Sequence, residues 1–304
     1  KGYHGTHFGG ASVNGNANFR RNYEPLLPGV FHLAAPYPYR NPFNINDPAE
    51  IAAAIARQFE DEIAFQGADT IAAFIMEPVL GAGGVIVPHE TFMPLMRAIC
   101  DRHGILLIAD EVITAFGRTG AWTGSRGWGV KPDMMTTAKA ITNGYFPFGA
   151  VMISEKVAAA FEANKDSFGA IGHGYTYSGH PVGAAAALAT LKETARVDTA
   201  ANAAARGVEL MAGLEGLKEK HELVGDVRGV GLMAALELVS DRGKKSAAAK
   251  DVVQTVYDAA YEAGVMVRTS GANVIISPPL IITAGDVQKI VSAMDAGLSA
   301  GEGL

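Results

Sequence analysis

ILLIADEV at residues 105–112 and DMMTTAKAITNGYFPFGAV at residues 133–151 decide how this chain folds. Each opens on an apolar or β-branched run of strand length and ends on groups that carry chemistry. The first run closes on Asp110 and Glu111. The second closes on Lys139, and Asn143-Gly144 then signals a turn before a further apolar run, FGAVMIS. Lys139 lies 29 residues after Asp110, room for a loop and one more strand. A lysine is almost never fully buried without a partner, so its place at a buried strand end asks for a reason.

Upstream, AEIAAAIARQFEDEIAFQ (49–66) places helix formers and apolar residues at helical spacing. AAFIMEPV (72–79) is a short strand. MPLMRAICDRHG (93–104) is a helix closed by Gly104. Strand, helix, strand in this rhythm predicts a largely parallel sheet covered by helices on both faces, an α/β class. Parallel strands would bring Asp110 and Lys139 to one edge of the sheet, where ligands of open α/β sheets collect.

Downstream of SGHP (178–181), an alanine-rich stretch reads as one long helix or two as far as about Leu217. VRGVGLMAALELV then alternates like a hairpin, 247–263 is helical, GVMVR and NVIIS are short strands, and 284–299 is a last helix. That is the pattern of a smaller α+β domain. The expected division is 1–182 for the large domain and 183–304 for the small domain with its connecting helix.

Composition narrows the function. The chain has 304 residues, 49% hydrophobic and 18% charged, with a net charge of −6. An acidic balance argues against a nucleic-acid surface, which needs a clustered basic face. No stretch is apolar for long enough to span a membrane as a helix. The single cysteine, Cys100, reads as a buried core thiol that cannot form an internal disulfide, so a reducing, cytoplasmic compartment is expected. No signal peptide is visible, and KGYHGTHFGG reads like the middle of a domain. His180 has no second ligand at metal spacing, so no metal site is expected. GAGG and GVG lack a strand–turn–helix setting for a dinucleotide.

Taken alone, Asp110 and Glu111 equally fit a solvated loop, and Lys139 fits a strand-end lysine whose stem lies along apolar surface. As a pair they carry a more specific meaning. A lysine in a mostly apolar pocket loses preference for its ammonium form and becomes a nucleophile toward a carbonyl. A pyridoxal phosphate enzyme needs such a lysine for its aldehyde and a carboxylate for its pyridinium nitrogen.

FIMEPVLGAGGV, LLIADEVITAFGRTG, TTAKAITNGYFPFGAV, GYTYSGHPVGAAAAL and VRTSGANVIISPPLIIT stand in an order and spacing that resemble the class III (omega-) aminotransferases, of the aspartate-aminotransferase-like fold. The resemblance covers essentially all of the chain. It implies pyridoxal 5'-phosphate as cofactor, Lys139 as its Schiff-base lysine and Asp110 as the partner of its ring nitrogen. It further implies Val112 against one ring face, and Tyr3 and His4 in the segment whose tyrosine stacks on the cofactor. Glu77 would be the buried acid near the cofactor, and Ala82 part of the substrate pocket. Thr176 would reach across a homodimer, or a tetramer built on it, to the phosphate of the neighbouring subunit. Arg268 would bind a substrate carboxylate, although Gly271-Ala272 stands where the family often has Gly-Asp. Without the family, Val112, Tyr3, Glu77 and Arg268 read equally as strand-end or core residues.

The implied activity is ping-pong transfer of an amino group from an omega-amino acid or amine, taurine- or β-alanine-like donors included, to pyruvate or another keto acid. Ornithine-type transaminases and an aminomutase share the core motifs. A family segment expected before YHG, with a phosphate loop and part of the substrate pocket, is not in this sequence. A non-catalytic dimeric scaffold and a cofactor-independent Schiff-base lysine enzyme are the competing readings.

Overall fold

Asp47 begins the first long helix by accepting hydrogen bonds from Ala49 N (2.7 Å) and Glu50 N (3.1 Å), with Pro48 pre-set at the first helical position. The structure, a computed structural model, describes residues 1–304. A short helix α1 (Phe8–Val13) precedes α2 (Pro48–Gln66), whose residues Ile51, Ile55, Phe59 and Ile63 recur every four positions and are buried as one stripe. Strand β1 (Ala73–Met76) follows, then α3 (Phe92–His103), which ends on Gly104 at φ 70. That left-handed residue frees the chain to enter β2 (Leu106–Asp110). After the four-residue helix α4 (Gly124–Gly127) come β3 (Met134–Thr137) and β4 (Ala150–Ile153).

The first sheet has the order β1-β2-β3-β4, with β1, β2 and β3 parallel. Its register sets Asp110 opposite Thr136, so Asp110 and Lys139 emerge at the same edge. Asp133 pins this geometry, accepting from Leu107 N of β2 (2.8 Å) and from Arg97 of α3 (2.6 Å). A 15-residue core, from Ile51 to Val130, lies between α2, α3 and the sheet.

The sheet is mostly parallel, as expected; only β4 runs antiparallel to β3, because the connection 138–149 turns back at Asn143-Gly144 without a crossover helix. Two expectations need correction. Cover by helices on both faces is incomplete. Helix α5 (Glu155–Phe168), which periodicity did not bring out, buries only Val157, and α6 (Pro181–Arg196) buries only Gly183 and Ala187. GVMV is not a strand; pairing starts at Arg268, since the chain is still leaving a helix at Gly264.

The second half builds a sheet of its own. Helix α7 (Thr199–Lys220) leads into the hairpin β5 (Val224–Val230) and β6 (Met233–Asp241), with β7 (Ser246–Ala247) beside β6. Helix α8 (Lys250–Glu262), β8 (Arg268–Ser270), β9 (Asn273–Ile276) and α9 (Ala284–Glu302) complete it. The sheet is antiparallel in the order β5-β6-β9-β8, and a 22-residue core between Ala203 and Leu298 sits against α7, α8 and α9. No helix is long and apolar enough to cross a membrane.

Arg228 closes the seam between the two sheets. Its Nε donates to Gly84 O (2.9 Å) in the loop after β1, while Nη1 donates to Asp226 (2.7 Å) and Glu237 (3.1 Å). Arg40 reaches the other oxygen of Glu237, and the Arg228 guanidinium lies 4.8 Å from the centre of the Tyr37 ring. A charge so enclosed is tolerable only when paired on all sides.

Candidate active site

Lys139 does not extend β3. The strand ends at Thr137, and Lys139 takes φ 43 as the first residue of a single 3-10 turn, Lys139–Ile141. This corrects the buried strand-end position expected for it: the left-handed residue lifts the chain out of the sheet, and Lys139 is exposed in a cavity of ≈ 580 Å³. A non-glycine residue held at positive φ is the kind of strain that gathers at functional sites. Ala82, Val112, Arg118, Met233 and Arg268 share the cavity with it. The volume suits a small molecule. Partial burial pushes the Lys139 ammonium below the ordinary lysine value; the charges of Asp110 and Glu77 oppose this and that of Arg268 adds to it.

Asp110, 6% exposed at the end of β2, is not among the residues that line the cavity. Its Oδ1 accepts from Val112 N (3.1 Å) and its Oδ2 from His4 Nδ1 (2.7 Å). His4 N in turn donates to Asn14 Oδ1 (2.5 Å), and Asn14 is fully buried. His4 therefore orients the carboxylate, and its ring nitrogen is spent on that contact. Glu77 is similarly occupied. Its Oε1 accepts from Tyr3 N (2.9 Å) and its Oε2 from Gly81 N (2.8 Å), so one carboxylate ties the N-terminal segment to the pocket loop. Burial raises its pKa above the usual glutamate value, against the pull of those two hydrogen bonds. The Tyr3 ring packs on Phe19, 4.6 Å between centres.

Gly84 of the pocket loop sits at φ 111, where any side chain would be strained, and Ala82 O accepts from Ser270 Oγ (3.2 Å) of β8. This loop and Arg268, two residues before Ser270, are thus held in one frame. Thr176 stands apart from all of these, in an exposed segment outside the cavity. His180 caps α6, its Nδ1 accepting from Val182 N (3.2 Å).

Two residues were not found by sequence reasoning in the roles they have. Glu111 is fully buried and accepts from Thr114 Oγ1 (2.5 Å), Gly124 N (2.7 Å) and Ser125 N (2.7 Å), closing the loop between β2 and α4. Nothing in its neighbours distinguishes it from Asp110. Arg118 lines the cavity although it belongs to that same loop; its place in FGRTG was the available signal.

The residues present fit a pyridoxal-type group on the chemistry of the donor set. One amine lines a cavity at the edge where a buried carboxylate ends the neighbouring strand, and the buried hydroxyls of Thr136 and Thr137 beside them have no protein partner. An α/β fold with this pair could support carbonyl–amine chemistry. The chain belongs to the class-III aminotransferases: the family model "Aminotransferase class-III" matches residues 1–298.

Among curated proteins, it is 38% identical over 300 residues to a putrescine–pyruvate aminotransferase of Pseudomonas aeruginosa, covering 96% of this chain and 63% of that protein. It is 39% identical over 296 residues to an omega-aminotransferase of Caulobacter vibrioides, covering 97% and 66%. Among solved structures, an amine transaminase from an uncultivated Pseudomonas species in its pyridoxal-phosphate-bound form superposes with a TM-score of 0.96. It is 49% identical, with 98% of this chain and 68% of that chain covered. The chain spans under two thirds of the length of the curated relatives described here.

Proposed function

We propose that the protein is a pyridoxal-phosphate-dependent transaminase that moves an amino group from an omega-amino acid or amine to pyruvate or another keto acid. The observation that carries the reading is the exposed Lys139 amine in a cavity beside the strand that ends on Asp110. The relatives' names, an omega-aminotransferase and a putrescine–pyruvate aminotransferase, support the donor class. Pyridoxal phosphate, when bound, supplies an aldehyde for the amine and a ring that accepts electrons from the carbon bearing it.

The chain's own groups do the rest. Lys139 would hold the cofactor, and its Nζ, poised toward the neutral form by partial burial, would take the proton from the carbon that bears the donor's amine. Asp110, held by His4 and Val112 N, would keep its negative charge against the ring nitrogen. Val112 and Ala82 wall the cavity and limit water. Arg268 would bind the substrate's carboxylate through charge-assisted hydrogen bonds. Tyr3, Glu77 and Thr176 belong to the same proposal as cofactor residues, as does the division of the chain into 1–182 and 183–304. The test is optical: added pyridoxal phosphate should give a visible band that borohydride removes, leaving the pyridoxyl group on the Lys139 peptide. A colourless protein that ignores the cofactor would sink the reading.

Arg268→Ala should lower kcat/KM for pyruvate and carboxylate-bearing donors by roughly tenfold to a hundredfold, since a hydrogen bond to a charged group is worth about 1.5–3 kcal/mol. Uncharged amines should lose far less. Equal losses in both classes would make Arg268 a structural residue.

Assembly as a homodimer is part of the same proposal. Tyr145, Phe168, Tyr177 and Leu188 surround Thr176 in sequence, and all are exposed. An apolar surface of this kind suits an interface, and a closed two-fold would let Thr176 serve the neighbouring site. Sedimentation should give a dimer. A cofactor-loaded monomer would refute it.

A further inference from the structure

His4 is the side chain that hydrogen-bonds Asp110, and it stands in a segment with neither helix nor strand. A ring placed that way needs supports of its own. Asn14, fully buried at the end of α1, supplies them. Its Oδ1 accepts from His4 N (2.5 Å) and its Nδ2 donates to Gly5 O (2.9 Å). A main-chain N–H can only donate and a carbonyl can only accept, so these two partners fix which way the amide faces. Gly15 N donates to Gly2 O (2.9 Å), which extends the same seam by one more bond. The main chain of Asn14 is fixed in turn, its carbonyl accepting from His32 Nε2 (3.0 Å) and Arg20 Nη1 (3.3 Å).

A carboxamide is the group this spot requires. It offers one acceptor and one donor in a single plane, matched to one N–H and one C=O of adjoining residues. A carboxylate would set an anion against Gly5 O, and a hydroxyl brings one polar atom for two partners. Each contact governs the next. Asn14 fixes the His4 peptide, the peptide places the ring, and Nδ1 of the ring meets Asp110 Oδ2 at 2.7 Å, where an ionised carboxylate can only accept. Resting on the transaminase reading, we infer that Asn14 is a positioning residue for amino transfer. It acts through His4 on Asp110, keeping the carboxylate oriented and charged for the cofactor's ring nitrogen. Asn14 is not among the residues that line the Lys139 cavity. Its effect therefore passes through no contact with the substrate, and the donor's size or charge should not alter it.

Two readouts test this, and one of them needs no cofactor. In the full chain with isotope-labelled histidine, the His4 Nδ1 proton should give a downfield, slowly exchanging resonance, identified by its loss in His4→Ala. Asn14→Ala should shift that resonance and speed its exchange roughly tenfold, the factor one hydrogen bond's loss implies. No such resonance in the unaltered protein, or one that Asn14→Ala leaves unmoved, overturns the assignment. In the cofactor-loaded protein, Asn14→Ala should slow the first half-reaction at saturating donor roughly threefold to tenfold. The factor should be the same for 4-aminobutanoate and butylamine, with the half-saturating concentration of each little changed. Unequal slowing would place the effect in the substrate pocket and refute the inference. In a His4→Ala background the same substitution should slow the reaction less than about twofold, because the path through the ring is already gone. Equal slowing in both backgrounds, or none in the unaltered one, would make Asn14 a residue of the fold alone. Should the alanine variant not fold, Asn14→Asp keeps the reach and the acceptor for His4 N but loses the donor to Gly5 O. The same dependence on His4 is expected there, and its absence counts against the proposal equally. An unaltered protein that forms no cofactor band would sink only the transaminase reading, since the resonance is read without it.

Discussion

Lys139→Ala is expected to lower amino transfer by about 10²–10⁴-fold, the usual contribution of a positioned proton-transfer group, and to abolish borohydride-stable attachment of the cofactor. Both losses follow from one atom. Nζ is the amine lining the cavity at the edge of β2 and β3, and partial burial holds it below the ordinary lysine pKa. The backbone cost is the same before and after substitution, because alanine and lysine both carry a Cβ at φ 43. An intact fold with lost activity therefore isolates the chemistry. Peptide mapping after reduction is the check. A pyridoxyl group found on another lysine would remove Lys139 from its role.

Asp110→Asn should leave the cofactor bound while slowing each half-reaction about 10²–10³-fold, the scale on which removing one preorganised electrostatic partner acts. The amide oxygen can still accept from Val112 N, while the NH2 that replaces Oδ2 donates to His4 Nδ1 in the tautomer that accepts there. What disappears is the anion that would stabilise a protonated ring nitrogen. Cofactor retention with slow single-turnover kinetics is the expected pair of results. Near-normal rates would show that Asp110 does no more than anchor the N-terminal segment through His4.

Much of the scaffold is legible because its causes are local. Helix α2 carries its own cap, its proline and a four-residue apolar period within residues 47–66. Gly104 ends α3 because a left-handed residue is needed there, and glycine adopts it without strain. Asp110 and Lys139 could be paired before any geometry was known, since parallel strands bring their C-terminal ends to one edge. The family also follows from motif order along the chain. Other features have no local cause. β4 shares its composition with its parallel neighbours, and only the return path of 138–149 makes it antiparallel. Helix α5 leaves most of its apolar residues exposed, so its pattern points at no core within the chain.

By itself, then, the sequence determined the α/β class, the two sheets with their principal helices, the family, and the pairing of Lys139 with Asp110. Each of these rests on periodicity, capping or motif order, which act over a few residues or along one strand. Tertiary structure alone decided that Lys139 leaves the sheet at positive φ and that His4 grips Asp110 across 106 positions. It also decided that Glu111 closes a loop while its neighbour is held by His4, and that Arg118 reaches the cavity with no anion of its own. Those outcomes depend on which distant groups desolvate and satisfy one another, and that is settled only when the elements pack.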